Sequence, residues 1–374
     1  MGPEIEAALI AGGVGILTVV AALYGTSKTS KDTKDGLNKQ LTEQREALER
    51  TLKEQHDQLD KTLAEQRTRT LNERFATAAG QLGSDKPPAV RLAGVYAMAG
   101  LADDWEENRQ TCIDVLCAYL RLPHESDPGQ TGAATVERRT YLEGREVRHT
   151  VMRVITAHLR GGANFSWQGM DFDFTGTIFD GAFFEGAEFS GVSRVSFVGA
   201  EFSGDINFED AKFSAGRSED AESSRVGPPR GYVSFTDAKF SDSEVLFRNA
   251  EFFGRVYFDD AKLSDCQVNF NAARITDGYI NFSGAEFVGC QVDFSITYFR
   301  GGNLNFNKAK FSGSQVSCDD AYFSGSDVYF YGTKFIGGKL DFHQVRSWVK
   351  PPTFDWDGPP PEVMLPITAD GKSQ

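Results

Sequence analysis

The chain has 374 residues, which is enough for two or three domains, and it carries a formal net charge of −14. That charge argues against direct binding to nucleic acid, because nucleic-acid binding needs basic patches. The five cysteines and five histidines share no spacing typical of a zinc site or a disulfide framework, so we predict no metal site and no cofactor.

The first predicted element is an uncharged run at residues 7–24, AALIAGGVGILTVVAALY. As a helix its 18 residues would span about 27 Å, which is close to the hydrocarbon thickness of a bilayer. Two glutamates precede the run, and four lysines follow it, beginning with Lys28. We therefore predict that residues 1–26 anchor a single-pass protein in the inner membrane and that most of the chain is cytoplasmic. The alternative is a buried helix.

The next element, residues 37–75, is predicted to be one polar helix. Leucines that begin similar segments recur every eleven residues, at Leu41, Leu52 and Leu63. A period of eleven favours a straight or slightly right-handed coiled coil. We predict that residues 27–73 are a linker and stalk through which copies of the chain associate. The alternative is a lone, solvated helix.

Residues 74–160 are predicted to form a small all-α domain. The stretch ERFATAAGQLGSDKPPAVRLAGVYAMAGLA indicates two helices, with a glycine- and proline-containing break at residues 83–88. NRQTCIDVLCAYL and ERRTYLEGREVRHTVMRVITAHLR indicate two more helices. Their apolar pattern predicts that Cys112 and Cys117 are core residues.

Downstream, phenylalanines recur in alternating steps of five and seven residues. In NFSGAEFVGCQVDF they are Phe282, Phe287 and Phe294, and a second ordered position precedes each by two residues. Residues i−2 and i of a strand point to the same side, so each unit is predicted to be a short strand with two inward side chains.

This spacing resembles the pentapeptide-repeat family, whose short sides wind into a right-handed square β-helix. Regular five-residue steps occur in FDFTGTIFDGAFFEGAEFSG, at Phe174, Phe179, Phe184 and Phe189. The resemblance implies a right-handed quadrilateral β-helix over residues 161–345. The run Glu73–Arg121 is similar to the HEAT-like helical segment that precedes such repeats in bacterial, especially actinomycete, membrane proteins, and we expect it to cap the first coil.

The seven-residue steps predict a coil of 24 residues and about seven coils in total. The tripeptide CQV begins at Cys266 and at Cys290, and SQV begins at Ser314, so both intervals are 24 residues. Three glutamines should therefore stack in one column: Gln267, Gln291 and Gln315. Two phenylalanine columns should fill the interior: Phe287 with Phe311 and Phe335, and Phe282 with Phe306 and Phe330.

Two segments depart from this repeat. Residues 214–232 are polar and are predicted to form a loop, either functional or an inert insertion. Residues 346–374 are predicted to cover the last coil and to end in a disordered tail. The predicted fold is therefore modular, with a transmembrane helix, a coiled-coil-like helix, an all-α domain and a β-helix in that order.

The function that we predict is non-enzymatic. The membrane-anchored scaffold would present an acidic β-helix to a protein partner in the cytoplasm, without binding nucleic acid directly. The candidate interaction surface comprises Glu244, Glu251, Asp259 and Asp260. The acidic pairs at residues 259–260 and 319–320 are also expected at turns. The alternative, which the resemblance implies, is a DNA mimic that modulates a type II topoisomerase or another DNA-binding protein.

Overall fold

The structure, a computed structural model, describes residues 31–83, 85–124, 127–128, 135–191, 194–214, 231–349, 352–355 and 361–365. The chain divides into two compact units, Met1–Thr70 and Leu71–Gln374. No helix among the described residues is both long enough and apolar enough to cross a membrane. The run predicted as a membrane anchor, residues 7–24, lies outside the described residues.

The long helix that we predicted is present. Helix α1 spans Lys31–Gln81 and has 51 residues. It continues past residue 75, the predicted end of the polar helix, and Leu71 and Ala78 near its end are buried in the core of the second unit. Four leucines of the predicted stalk are exposed: Leu48, Leu52, Leu59 and Leu63. Association of copies through this stripe stays a prediction.

Three shorter helices precede the β-structure: α2 at Pro88–Asp104, α3 at Arg109–Arg121 and α4 at Thr135–Leu159, with a 3-10 turn at Glu106–Asn108. The predicted break between α1 and α2 is confirmed, and Pro88 lies in the first turn of α2, where its missing N–H needs no partner. Buried side chains join the helices, including Met98, Leu116 and Val151. Cys112 and Cys117 belong to this core, as predicted.

The β-structure is a solenoid of parallel strands arranged in four columns, which we call sides 1 to 4. Side 1 consists of Phe172–Asp173, Arg194–Ser196, Tyr232–Ser234, Arg255–Tyr257, Tyr279–Asn281, Asn303–Asn305 and Asp327–Tyr329. Side 4 consists of Glu188–Phe189, Lys212–Phe213, Glu251–Phe252, Arg274–Thr276, Tyr298–Arg300, Tyr322–Phe323 and Ser347–Trp348. The seven strands in each of these two columns correspond to the predicted seven coils.

Sides 2 and 3 share one sheet, because three early strands turn the corner between them without a break. These strands are Ile178–Phe183, Glu201–Asn207 and Lys239–Leu246. Side 2 continues with Lys262–Ser264, Glu286–Val288, Lys310–Ser312 and Lys334–Ile336. Side 3 continues with Gln267–Asn269, Gln291–Asp293, Gln315–Ser317, Lys339–Asp341 and Val363–Met364.

The strand register shows the 24-residue coil directly. Gln267 pairs with Gln291, and Gln291 pairs with Gln315, which confirms the predicted glutamine column. The preceding coil has 23 residues, since Tyr232 pairs with Arg255. Its step from side 4 to side 1 is four residues, from Glu251 to Arg255, whereas the following coils use five.

One of the two seven-residue steps in each 24-residue coil places its two extra residues at the corner between sides 2 and 3, and the other places them at the corner between sides 4 and 1. At the corner between sides 2 and 3 the two residues differ in role. One residue adopts a positive φ, for example 52° at Asp265 and 65° at Gly289. The next places a small side chain in the interior, as Cys266 and Cys290 do on adjacent coils. The thiol of Cys290 donates to the carbonyl of Leu263 at 3.2 Å. The corner therefore buries a small polar group that has a hydrogen-bond partner.

Stacked phenylalanines fill the interior between the four sides. The ring centroids of Phe306 lie 5.1 Å from those of both Phe282 and Phe330, so the second predicted column is confirmed. Phe287, Phe311 and Phe335 also stack, but Phe335 is only partly buried because it lies near the end of the solenoid.

Both ends of the solenoid are covered. At the start, α4 packs on Ile178–Phe183, and the hydroxyl of Thr156 donates to the carbonyl of Phe183 at 2.7 Å. At the other end, Phe354 stacks on Phe330, and Val363–Met364 pairs with Lys339–Asp341. Most of the predicted 214–232 loop lies outside the described residues.

Candidate interaction surface

The four acidic residues that we predicted as an interaction surface lie in different parts of the coil. Glu244 is on side 3 and Glu251 is on side 4. Asp259 and Asp260 lie in the turn between sides 1 and 2. The structure therefore does not bring the four together on one flat side. Whether any of them contacts a partner stays a prediction.

Three of these residues have identifiable local roles. Glu251 accepts a hydrogen bond from Nη1 of Arg274 at 3.1 Å, on the next coil. Burial raises the pKa of Asp259 to about 6, although Nδ2 of Asn281 donates to this carboxylate at 2.5 Å. Asp260 has a φ of 54°, a conformation that aspartate tolerates better than most residues.

Asp260 represents a wider pattern in which acidic residues occupy the corners. Seven aspartates in the described part of the chain have a positive φ: Asp210, Asp237, Asp242, Asp260, Asp265, Asp277 and Asp320. Asparagine and aspartate enter this region more easily than other non-glycine residues because their short side chains hydrogen-bond locally. These seven carboxylates therefore belong to turns and lie along the edges between the sides. This confirms the predicted turn positions at residues 260 and 320.

The flat surfaces of sides 2 and 4 carry charges of both signs. On side 2, Nζ of Lys239 lies 2.8 Å from Oε1 of Glu201, and Nζ of Lys310 lies 2.7 Å from Oε1 of Glu286. On side 4, Nζ of Lys212 lies 2.7 Å from Oε1 of Glu188 on the preceding coil. These pairs neutralise one another across neighbouring coils, so neither side presents a uniformly acidic surface.

Side 1 has a different composition, and its outward residues form what we call the tyrosine face. Five consecutive strands from Arg194 to Asn305 contain no acidic residue. Their outward positions hold Arg194, Ser196, Tyr232, Arg255, Tyr257, Tyr279, Asn303 and Asn305, which are exposed or half-buried, and Ser234 and Asn281, which are buried. Tyrosine and arginine are enriched at protein–protein interfaces, where they supply much of the binding energy.

The tyrosines of this face form a continuous aromatic row across three coils. The ring centroids of Tyr232 and Tyr257 lie 5.9 Å apart, and those of Tyr257 and Tyr279 lie 5.8 Å apart. All three residues are half-buried, so each ring is supported by its neighbours and still exposes part of its surface. Among the described residues, Arg255 beside this row has no ion-pair partner. Arg194, the other arginine of the face, pairs with Asp171 at 2.9 Å. The face is therefore amphipathic and, in the part of the chain that the structure describes, carries one unpaired positive charge.

The repeat itself matches a known family. The family model for pentapeptide repeats matches residues 173–204, with eight copies. The chain is a pentapeptide-repeat protein. No curated protein and no solved structure is significantly similar to it. The matched residues contain the five-residue steps, and the strand register continues the pentapeptide-repeat solenoid to Asp341.

The described part of this pentapeptide-repeat protein shows no constellation typical of metal-dependent chemistry. No group of three or more His, Cys, Asp or Glu side chains among the described residues is placed to hold a metal ion. Burial raises the pKa of Cys112 to about 11 and that of Cys117 to about 12, so both stay protonated near neutral pH. These thiols therefore act as core residues and not as nucleophiles.

Proposed function

We propose that this pentapeptide-repeat protein is a non-enzymatic scaffold that binds a protein partner on the tyrosine face. The observation that carries the proposal is the composition of five consecutive strands of side 1, which join an aromatic row to arginines and amides and contain no acidic residue. Flat parallel strands offer a broad, preorganised surface, so little side-chain entropy is lost on binding. With strands roughly 4.8 Å apart, the five carboxylate-free strands extend about 19 Å, which suits one helix or one extended segment of a partner.

We propose further that the chain is tethered to the cytoplasmic face of a membrane. The support is the uncharged run at residues 7–24 and the lysines that follow it. The exposed leucines of α1 would join this stalk to a second copy, because they recur at the hendecad spacing of a coiled coil. Two copies would then present two tyrosine faces to one partner assembly, which raises the apparent affinity.

DNA mimicry is the second candidate function. The rows of aspartates along the corners favour it, since they form lines of negative charge on the solenoid. Four lysines on side 2 weaken it, because they place positive charges beside those lines: Lys239, Lys262, Lys310 and Lys334. A DNA supercoiling assay with a type II topoisomerase distinguishes the two functions. Inhibition at submicromolar protein would favour mimicry, and its absence would favour the scaffold.

The scaffold proposal can be tested with two tyrosine pairs on different sides. Tyr257 and Tyr279 belong to the tyrosine face, whereas Tyr298 and Tyr322 stack at 4.7 Å on side 4. Native membranes containing the tagged full-length protein, Y257S/Y279S or Y298S/Y322S would be solubilised, and the co-purifying proteins would be quantified. We expect Y257S/Y279S to lose a partner that Y298S/Y322S retains. Equal retention by both variants would refute binding through side 1.

A further inference from the structure

The helical part of the second unit contains a cavity of about 440 Å³ between α2, α3 and α4, which we call the arginine cavity. Its polar lining includes Arg91, Tyr119, His124, Tyr141 and Arg148. Its volume lies in the range of small-molecule sites, which are typically about 300–1,000 Å³. The chain as a whole is acidic, yet two arginines, Arg91 and Arg148, line this one cavity.

Arg91 reaches the cavity from α2 without a charged partner. Its Nη1 donates to the hydroxyl of Tyr119 at 3.2 Å. Its Nε is buried and has no hydrogen-bond partner among the described residues, and no carboxylate among them forms an ion pair with this guanidinium. The residue as a whole is half-buried. The side chain therefore has unused capacity to bind an anion.

Arg148 reaches the same cavity from α4 and is nearly buried, with its side chain 7% exposed. Its Nη2 donates to Oδ2 of Asp180 at 2.8 Å, but its Nε has no hydrogen-bond partner among the described residues. Gly144 lies one turn earlier on α4, and a Cβ at that position would be 3.4 Å from Nη1 of Arg148. The missing side chain leaves this edge of the guanidinium uncovered.

Asp180 cannot neutralise all of the nearby positive charge. Its carboxylate accepts from the hydroxyl of Tyr141 at 2.8 Å, and Nε of Arg145 lies 3.4 Å from the same Oδ2 atom. This one carboxylate therefore forms ion pairs with both Arg145 and Arg148, while the hydroxyl that Arg91 contacts is neutral. Burial raises the pKa of Tyr141 to about 12, so its hydroxyl stays neutral and adds no negative charge.

We propose that the arginine cavity binds a small organic phosphate, with the phosphate group between Arg91 and Arg148. Guanidinium groups present forked N–H donors that match the oxygens of phosphate, and two of them from separate helices suit a dianion. The cavity is much larger than one inorganic ion requires. Leu122, Pro123 and the tyrosine rings would contact the apolar body of the ligand. The site lies outside the tyrosine face and does not depend on the proposed scaffold function.

The test is isothermal titration of the purified full chain with three probes at constant ionic strength. Phenyl phosphate carries both the anion and the apolar body, inorganic phosphate carries only the anion, and phenol carries only the body. We expect phenyl phosphate to bind most tightly and phenol not to bind. R91Q should weaken the binding of phenyl phosphate about tenfold or more, because one charge-assisted contact is lost. R91K should bind phenyl phosphate with intermediate affinity, because lysine keeps the positive charge and loses the forked N–H donors of the guanidinium.

The matched control is R153Q, because Arg153 lies on α4 with its side chain 51% exposed and pairs with Glu146 outside the cavity. R153Q should bind phenyl phosphate like the unaltered protein, and circular dichroism should show that R91Q is folded. Equal binding by R91Q and the unaltered chain would overturn the proposal, as would no binding of phenyl phosphate by the unaltered chain. Sedimentation with phosphatidic acid vesicles tests whether the ligand is a membrane lipid. Binding to these vesicles without binding to phenyl phosphate would also overturn the proposal.

Discussion

Replacing Phe306 by alanine should strongly destabilise the solenoid. Phe306 is 3% exposed and stacks between Phe282 and Phe330, with 5.1 Å between ring centroids on each side. Burial of a phenylalanine contributes about 2–3 kcal/mol, and each aromatic pair adds about 1 kcal/mol. The rigid strands on all four sides limit collapse into the resulting cavity. We therefore expect a loss of about 4 kcal/mol in the free energy of unfolding, within the measured range for such substitutions.

The matched control is the same substitution at an outward position, Phe253→Ala, because Phe253 is 43% exposed on side 4. It should cost about 1 kcal/mol or less, since half of the ring already contacts water. Urea unfolding followed by circular dichroism would compare both variants with the unaltered chain. Because repeat proteins can unfold in parts, hydrogen exchange at the flanking strands would localise the loss. Equal destabilisation by the two variants would refute the inward assignment of the phenylalanine columns.

Three further predictions concern the cap, the corners and the stalk. Burial alone would raise the pKa of Asp180, but the hydrogen bond from His149 and the charge of Arg148 hold it well below its usual value. D180N should therefore cost about 3 kcal/mol at pH 7, and its deficit against the unaltered chain should shrink as the pH falls below about 4, measured by urea unfolding. D260A should be about 1 kcal/mol less stable than D260G, because alanine is strained at a positive φ, and equal thermal stabilities would contradict the turn role. L52E/L59E should reduce the sedimenting mass of the detergent-solubilised protein, whereas an unchanged mass would exclude association through α1.

The sequence was sufficient to predict the interior of the solenoid, because inward positions follow a strict spacing. The interval between Cys266 and Cys290 defines the coil, and each side contributes two inward residues, such as Val268 and Phe270 on side 3. The proposed surface was less predictable. Glu244 and Glu251 are seven residues apart, and one step of that length carries the chain around a corner to the next side. Residues that are close in this sequence are therefore often on different sides.

The tyrosine face and the arginine cavity depend on contacts between distant residues. Tyr257 and Tyr279 occupy opposite ends of their strands, so they are 22 residues apart and do not follow the 24-residue coil. Arg91 and Arg148 lie on separate helices, and only the packing of α2 against α4 brings them to one cavity. The sequence carries one indication of the tyrosine face: in the segments RVYF and GYINF, a tyrosine flanks the inward residue on side 1.

Site-specific photo-crosslinking tests the scaffold function most directly. A benzophenone amino acid would replace Tyr279 on the tyrosine face or Tyr298 on side 4 in the full-length protein, in its native cells. After irradiation, mass spectrometry would identify the covalent adducts. We predict one discrete protein adduct from position 279 and none from position 298. The same adduct from both positions, or an adduct from position 298 alone, would contradict binding through side 1.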